Sequence, residues 1–466
     1  MAIKATLLIP VENQVRELDP KLLLAVVAVR RGFCVVIGSH RELDFRIASF
    51  PRSLYLCKSF TVRNLKMFRI MHKLGHEILS WDEEALVHLP HEMYFSRRLS
   101  PLTLKYLDHL FAWGEDNAEL WRQYPDFPPE LPIHITGNPR NDMLRPEMHS
   151  FYEREIKEIL NGYGKFILMN TNFNHVNAFF PTQNLFQPVK SLGEKPVFGK
   201  AGKGMTREFA EGFRDHKQAL FEDFQRLIPE LERAFPNYTI VVRPHPTESQ
   251  EVYKIIAAKC KRVRVTNEGN VVPWLMATQA LIHNGCTTGV EAYVMGVPAI
   301  SYRATVNDYY DYGFYRLPNM LSHQCFSFDE LRTTLDKILS GKIGAADGAE
   351  RQALVDHYLT AADGRMACER IIDVLEEVME GRSELSKPAL QSRFSGWCMA
   401  NSRRLLKRIK LYLPGSHAPP EFHRHRYPGI SLEELHTRIK KLQQILGGDE
   451  DLRVQQLYSH IFQISQ

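Results

Sequence analysis

The segment His283-Asn284-Gly285-Cys286-Thr287-Thr288-Gly289-Val290-Glu291-Ala292 follows a short apolar run and precedes a helical pattern that stops at Gly296-Val297-Pro298. The context is strand, small-residue loop, helix. Backbone N–H groups at a helix N-terminus attract phosphate, and glycine lets the ligand come close. The hydroxyls of Thr287 and Thr288 add donors, and Glu291 can accept from a ribose hydroxyl. An ordinary capped helix is the alternative, since threonine is itself a preferred cap. Cys286 reads as a small loop residue rather than a nucleophile.

A second motif, Arg243-Pro244-His245-Pro246, ends a β-branched run. Prolines fix φ and stiffen the turn. Arg243 has the fork geometry that suits phosphate, and His245 can bind a phosphate or protonate a leaving group. A third, Trp81-Asp82-Glu83-Glu84, sets three consecutive carboxylates after a strand. Mutual repulsion and burial would raise at least one pKa toward that of a general base, with Asp82 or Glu83 in that role. An acidic first turn of a helix is the alternative. Glu12, Glu115 and Asp116 are rival carboxylates at other strand ends. Asn138 and Arg140, in Gly137-Asn138-Pro139-Arg140-Asn141-Asp142, lie near a domain border, and either a turn or a cleft role fits them. Asn170 and Asn172 end a further strand and are cleft candidates too.

Elements that would carry these residues are legible as alternating apolar runs and helical periods, the pattern of α/β folds. Strands are expected at residues 5–10, 33–37, 53–56, 77–80, 110–113 and 134–136, with a helix at 20–31. A second series is expected at 166–170, 239–243, 262–265, 280–283 and 299–302, with a long helix at 208–235. The charged stretch 147–160 connects the two. Two doubly wound halves in one chain imply two Rossmann-like domains, with ligands at the carboxyl ends of the strands. Residues 172–205 read either as a lid or as a surface insertion.

These pieces resemble a GT-B glycosyltransferase. Bacterial sialyltransferases of that fold carry an acidic motif followed by glycine, then a His-Pro motif, then a Ser/Thr motif. Asp82-Glu83-Glu84, His245-Pro246 and Thr287-Thr288 resemble the three in order, except that Glu84 stands where the glycine belongs. Most of the chain also resembles bacterial surface carbohydrate biosynthesis proteins, through residues 9–17, the Trp-Asp-Glu-Glu segment, Gly137-Asn138-Pro139-Arg140 and the Cys-Thr-Thr loop. The resemblance implies an α/β, GT-B fold of two facing Rossmann-like domains with a helical C-terminal extension. Domains would run 1–145 (acceptor and base), 146–385 (donor) and 386–466. It also implies a CMP-activated donor, a nonulosonic acid or Kdo, and a glycan or lipid-linked glycan acceptor. Arg243, His245, Pro246, Asn284, Gly285, Cys286, Thr287, Thr288 and Glu291 would hold the donor. A CMP-linked sugar leaves as a monophosphate, so neither metal nor cofactor is expected. The alternatives are a CDP-polyol phosphotransferase and a non-catalytic nucleotide- or sugar-binding scaffold.

Composition is that of an ordinary globular chain: 466 residues, 44% hydrophobic, 24% charged, formal net charge +5. Seven scattered cysteines without a CxxC pair argue against a zinc cluster or disulfide framework, and for a reducing cytoplasm. No signal peptide is read at the N-terminus, and no apolar stretch approaches the ~20 residues of a membrane span. Residues 393–410 carry six basic and no acidic side chains, interleaved with Trp397, Leu405, Leu406 and Ile409. They would pack on the enzyme or lie on an anionic membrane surface, at the inner face of the bacterial inner membrane. No recognition motif accompanies the charge, so nucleic acid is not expected as a partner. Residues 430–446 read as a second helix, capped by Ser431.

Overall fold

The computed structural model describes residues 3–189, 196–382, 384–411, 423–424, 426–448 and 450–466, with the backbone alone at 312–314 and 410–411. Residues 190–195 of the expected lid or insertion lie outside the described residues. Fourteen strands are present among the described residues. They are β1 (Thr6–Val11), β2 (Cys34–Ser39), β3 (Leu54–Cys57), β4 (Glu77–Ser80), β5 (His109–Ala112), β6 (Ile133–Ile135), β7 (Phe166–Thr171), β8 (Thr239–Pro244), β9 (Val263–Val265), β10 (Leu281–His283), β11 (Ala299–Tyr302), β12 (His323–Cys325), β13 (Arg453–Tyr458) and β14 (Ile461–Ser465). They form two sheets, in the orders β13-β14-β2-β1-β3-β4-β5-β6 and β12-β11-β10-β7-β8-β9. The chain divides into two compact units. The first holds Met1–Leu86, Phe95–Phe151 and Asp356–Gln466, and the second Val87–Tyr94 and Tyr152–Val355.

In the second unit the sheet is parallel throughout. Numbered from its first strand, the order is 6-5-4-1-2-3, the doubly wound arrangement whose crevice opens between strands one and four, here β7 and β10. Side chains alternate along β7. Ile167 and Met169 pack with Phe224, Leu227 and Leu231 of the helix Arg207–Ala234. Phe166 and Leu168 pack on the other face with Trp274 and Leu275 of the helix Val271–Ala277. That alternation turns the last residues of each strand alternately toward the two helical layers, which decides where the strand-end side chains point.

The first unit has six parallel strands with its own reversal of order between β1 and β3. The helix Gln14–Arg30 begins six residues before Pro20, the residue expected to open it. Proline at that position only removes an N–H directed at Arg16, and residues 22–29 are buried on nearly every side, so packing outweighs the lost bond.

The last segment is helical over Ala367–Met379, Leu390–Leu411 and Leu432–Ile445, with Ser431 capping the last of these through Glu434 N. It does not end there. β14 pairs antiparallel with β2, and β13 with β14, so residues 356–466 pack with the first unit where the sequence reading set 386–466 apart. Gly38 permits this pairing, because a Cβ there would lie 2.1 Å from the His460 carbonyl oxygen. No helix among the described residues is long and apolar enough to cross a membrane.

Candidate functional site

In the second unit the carboxyl ends of β7, β8 and β10 carry the candidate residues side by side. Asn172 N donates to Asn284 Oδ1 at 2.9 Å, which laces the loop after β7 to the loop after β10. Asn170 closes β7, is buried, and its Oδ1 has no hydrogen-bond partner. Glu248, just beyond the His245-Pro246 turn, accepts from Thr171 Oγ1 at 3.0 Å and from Phe173 N at 3.1 Å. Burial raises the pKa of this carboxyl, and Tyr253, Phe173, Thr171 and Asn177 hold it down in part. Three loops are thus cross-braced at the crevice.

The loop after β10 is set by His283, which is fully buried. Gly285 N donates to its Nδ1 at 3.0 Å, so the ring proton sits on Nε2, 2.8 Å from Ser322 Oγ. Ser322 Oγ in turn donates a hydrogen bond to the Pro318 carbonyl oxygen. Burial, then the Arg303 charge, lowers the His283 pKa to about 3, so the ring is neutral near pH 7. Gly285 has φ +83°, and a Cβ there would meet Tyr315 Cβ at 2.7 Å. The helix Thr287–Val294 follows. Cys286 is its N-cap, yet its side chain makes no capping bond and lies 2.6 Å from Thr288 Oγ1 instead. Burial raises the Cys286 thiol pKa, which fits a loop residue and not a nucleophile. Thr287 and Thr288 are half-buried and Glu291 is buried. The start of this helix lies at the crevice of a doubly wound sheet, with the Cys286 thiol near the Thr288 and Gly289 N–H groups.

His245 is half-buried at the end of β8, and Pro246 is exposed. Thr247 N donates to His245 Nδ1 at 3.3 Å, with Thr247 Oγ1 at 2.8 Å from the same nitrogen. A lone pair on Nδ1 puts the proton on Nε2, the tautomer that can donate to a phosphoryl oxygen. Arg243 does not join it, contrary to expectation. Its Nη1 and Nη2 donate to the carbonyls of Glu268 and Gly269 at 2.7 and 2.5 Å, and its guanidinium lies over Trp274. Arg243 shares a strand face with Val241, so strand alternation turns it into the Trp274 layer while His245 continues to the turn.

In the first unit the acidic motif follows β4 as expected, but its charges are matched. Asp82 is 1% exposed, and Arg98 Nε donates to its Oδ2 at 2.9 Å while Nη2 reaches Oδ1. Glu83 Oε1 accepts from Trp81 Nε1 at 2.8 Å, and its Oε2 is 3.7 Å from Arg140. Arg16, foremost, holds Glu84 down at about 2, opposite to the expected effect of repulsion. Both Asp82 carboxylate oxygens are occupied by Arg98, so Asp82 is better placed to fix Arg98 than to reach an acceptor hydroxyl.

Glu12 pairs with Lys58 at 2.6 Å and with Arg426, and Lys58 also meets buried Glu17 at 3.1 Å, which fills the β1–β3 reversal with ion pairs. Burial alone would raise the Glu12 pKa; Lys58, His40 and Arg426 reverse this and leave it lowered. Glu115 pairs with Arg122, and Asp116 lies 4.0 Å from His357. Asn138 caps the short helix Pro139–Asp142 through Arg140 N, and Arg140 lies over Trp113. Asp142 accepts from Ala367 N and Cys368 N at 2.8 and 2.9 Å. That motif is a clasp for the C-terminal segment. The sequence reading missed Glu248, Tyr315 and Lys217 as well as the setting role of His283. Only Lys217 left a sequence signal, as a lysine inside an apolar stripe.

No family model and no curated protein matches the chain. Among solved structures it is similar to a histidine-to-alanine variant of the wall teichoic acid polymerase TagF, with TM-score 0.50, 13% identity, and coverage of 82% of this chain and 91% of that one. A histidine-to-asparagine variant of the same polymerase with CDPG gives TM-score 0.50, 13% identity, and coverage of 82% and 90%. A putative UDP-N-acetylglucosamine 2-epimerase from Listeria monocytogenes gives TM-score 0.49, 13% identity, and coverage of 84% and 100%. The polymerase likeness, with the two parallel-stranded sheets, makes the fold GT-B-like with two Rossmann-like domains.

Proposed function

We propose that the chain is a glycosyltransferase of bacterial surface polysaccharide synthesis that takes its sugar, a nonulosonic acid or Kdo, from a CMP-activated donor. The observation that carries the reading is the start of the helix Thr287–Val294, which follows a braced loop at the β7–β10 crevice, beside a strand-end histidine. CMP sits on the second unit, its phosphate against Thr287 and Thr288 and its ribose toward Glu291. Arg243 braces the loop after β9 through the Glu268 and Gly269 carbonyls and takes no part in holding the phosphate. As the sugar–phosphate C–O bond breaks and the acceptor oxygen bonds to the same carbon, with its proton released to solvent, the neutral His245 ring donates an Nε2–H hydrogen bond to the departing phosphate, so protein groups meet the negative charge and the reading invokes no metal. The acceptor is a glycan or lipid-linked glycan. CMP at saturation should raise the melting temperature, by about 2.7 kcal/mol of stability at a hundredfold excess over Kd. CMP-sugars should then be consumed when an acceptor is added. Stabilisation by UDP or GDP but not CMP would refute the donor class. Turnover of CDP-polyols would instead make the chain a phosphotransferase, and CMP binding without any turnover a scaffold.

We place the chain at the inner face of the inner membrane, through the helix Leu390–Leu411 lying on anionic lipid. Leu390, Phe394, Trp397 and Leu405 form an exposed stripe at helical spacing, and Phe394 stacks on Trp397. Arg393, Arg404, Lys407 and Arg408 share the helix with no acidic residue. Arg403 is committed to Asp44, and the Lys410 side chain lies outside the described residues. Each basic residue at an anionic surface contributes about 1 kcal/mol. The protein should float with phosphatidylglycerol vesicles and not with phosphatidylcholine ones, and Phe394→Ser with Trp397→Ser should abolish flotation. Equal behaviour of parent and double variant would refute the assignment.

A further inference from the structure

The buried face of the helix Arg207–Ala234 runs Phe213, Lys217, Leu220, Phe224, Leu227, Leu231, in steps of three and four residues. Every member but one is apolar. Lys217 occupies a core position, is 0% exposed, and its Nζ has no hydrogen-bond partner. The ammonium faces two rings, with Phe173 at 5.1 Å and Tyr315 at 4.6 Å to the ring centroids. Rings attract a cation but do not accept its three N–H donors in the way oxygens do.

The acids around it are already committed. Asp311 accepts from His216 Nε2 at 2.8 Å, Arg303 Nη1 at 2.9 Å and Asn307 N at 3.1 Å. Glu248 accepts from Thr171, Phe173, Asn177 and the Tyr253 hydroxyl. A buried ammonium without an acceptor is costly to the fold, and a methionine would fill the same stripe without that cost.

Tyr315 connects Lys217 to the crevice. The ring that faces the ammonium belongs to the residue packed on Gly285, immediately before the helix Thr287–Val294. Two sources of positive potential thus adjoin the Tyr315 ring: the first-turn N–H groups that follow Gly285, and a cation with no hydrogen-bond acceptor.

We propose that the Lys217 ammonium and the N-terminus of the helix Thr287–Val294 together form a subsite for a phosphoryl group, with Lys217 as its buried cation. The inference rests on the nucleotide reading of that loop, and adds a residue that the loop's own motif does not contain. Burial lowers the Lys217 pKa to about 8, against the opposing pull of Asp311, Glu248 and Cys286. A phosphoryl dianion beside it would raise that value again, so binding above pH 8 should draw in a proton.

The test uses the whole chain with CMP and, separately, inorganic phosphate, followed by titration calorimetry from pH 7.5 to 9.5. Phosphate monoesters are dianions throughout this range, their second pKa being about 6. Burial pushes both the Cys286 thiol and the Tyr315 hydroxyl up, so Lys217 dominates the titration at this site. At pH 8.5, paired buffers of different ionisation enthalpy should reveal uptake of about three quarters of a proton, and affinity should fall on the order of twentyfold from pH 7.5 to 9.5. Lys217→Met should melt at or above the parent temperature, bind CMP at least about tenfold more weakly at pH 7.5, and show neither effect of pH.

A variant that binds CMP like the parent overturns the proposal. So does CMP binding by the parent without proton uptake, which can be read even if Lys217→Met does not fold. If the parent binds neither CMP nor phosphate, the nucleotide reading itself has failed and takes the subsite with it. Uptake with CMP but no binding of phosphate alone still supports Lys217 and assigns the affinity to the nucleoside.

Discussion

His245→Ala should lower turnover of the CMP-sugar by about 10²–10³-fold, the usual contribution of one oriented hydrogen-bond donor at a developing negative charge. The argument begins with the ring's tautomer. Thr247 N–H and hydroxyl both lie at Nδ1, which leaves the proton on Nε2 for the ligand. A hydrogen bond that strengthens as charge builds on the departing phosphate is worth most in the transition state, so kcat should fall while the KM for donor stays near the parent value. The fold should hardly notice. His245 is half-buried and belongs to neither layer packed on the sheet, and substitutions at such positions usually change stability by about 0.5 kcal/mol or less. Thr247→Val keeps the ring and removes the hydroxyl near Nδ1. It should give a smaller loss, with the same split between kcat and KM. The readouts are steady-state donor consumption and thermal melting. Unchanged turnover in His245→Ala would reduce the residue to part of a stiff turn. A collapsed melting transition would show that it holds the loop.

Most strands were legible because buried parallel strands are short apolar runs bounded by turns. β12, β13 and β14 were not, although β14 is largely apolar. His323-Gln324-Cys325 is three residues long with one apolar member, and Arg453–Tyr458 is polar at half its positions. Their pairing is set by long-range contact with β11 and with β14, which no local pattern encodes. The loops of the candidate site were legible as loops, because Gly, Pro, Asn and Thr at strand ends mark turns and helix starts. The direction of their side chains was not. Arg243 and His245 look alike in the sequence as strand-end cations, and one turns into the Trp274 layer while the other stays at the turn. Charge balance was hidden for the same reason. Asp82, Glu83 and Glu84 stand together in the sequence, but Arg98, Arg140 and Arg16, which neutralise them, come from three separate segments. Repulsion among neighbours in sequence was therefore a poor guide to their ionisation.

Asp82→Asn tests that last point, since the two accounts of this residue predict opposite observables. If Asp82 were the base, the variant would melt like the parent and transfer would fall by about 10²–10⁴-fold. The geometry instead makes it the buried half of an ion pair. It is held by two nitrogens of Arg98, accepts Glu84 N at 3.1 Å, and lies in a backbone turn that Trp113 Nε1 fixes through the Asp82 carbonyl at 2.8 Å. Removing one member of such a pair costs about 3–5 kcal/mol. The lower end applies here, because the Arg98 side chain is 24% exposed and water can reach its charge. The melting temperature should therefore drop by several degrees, while transfer per folded molecule, measured well below the transition, stays near the parent value. CMP affinity should not change, because the loops assigned to it belong to the other compact unit. Arg98→Met alone should be destabilising for the mirror-image reason, leaving a buried carboxylate unmatched. Asp82→Asn with Arg98→Met removes both charges, and should recover much of the stability that either change loses alone, as expected for two residues coupled in one contact. Loss of transfer in Asp82→Asn with an unchanged melting curve would overturn the ion-pair assignment and return Asp82 to the reacting atoms.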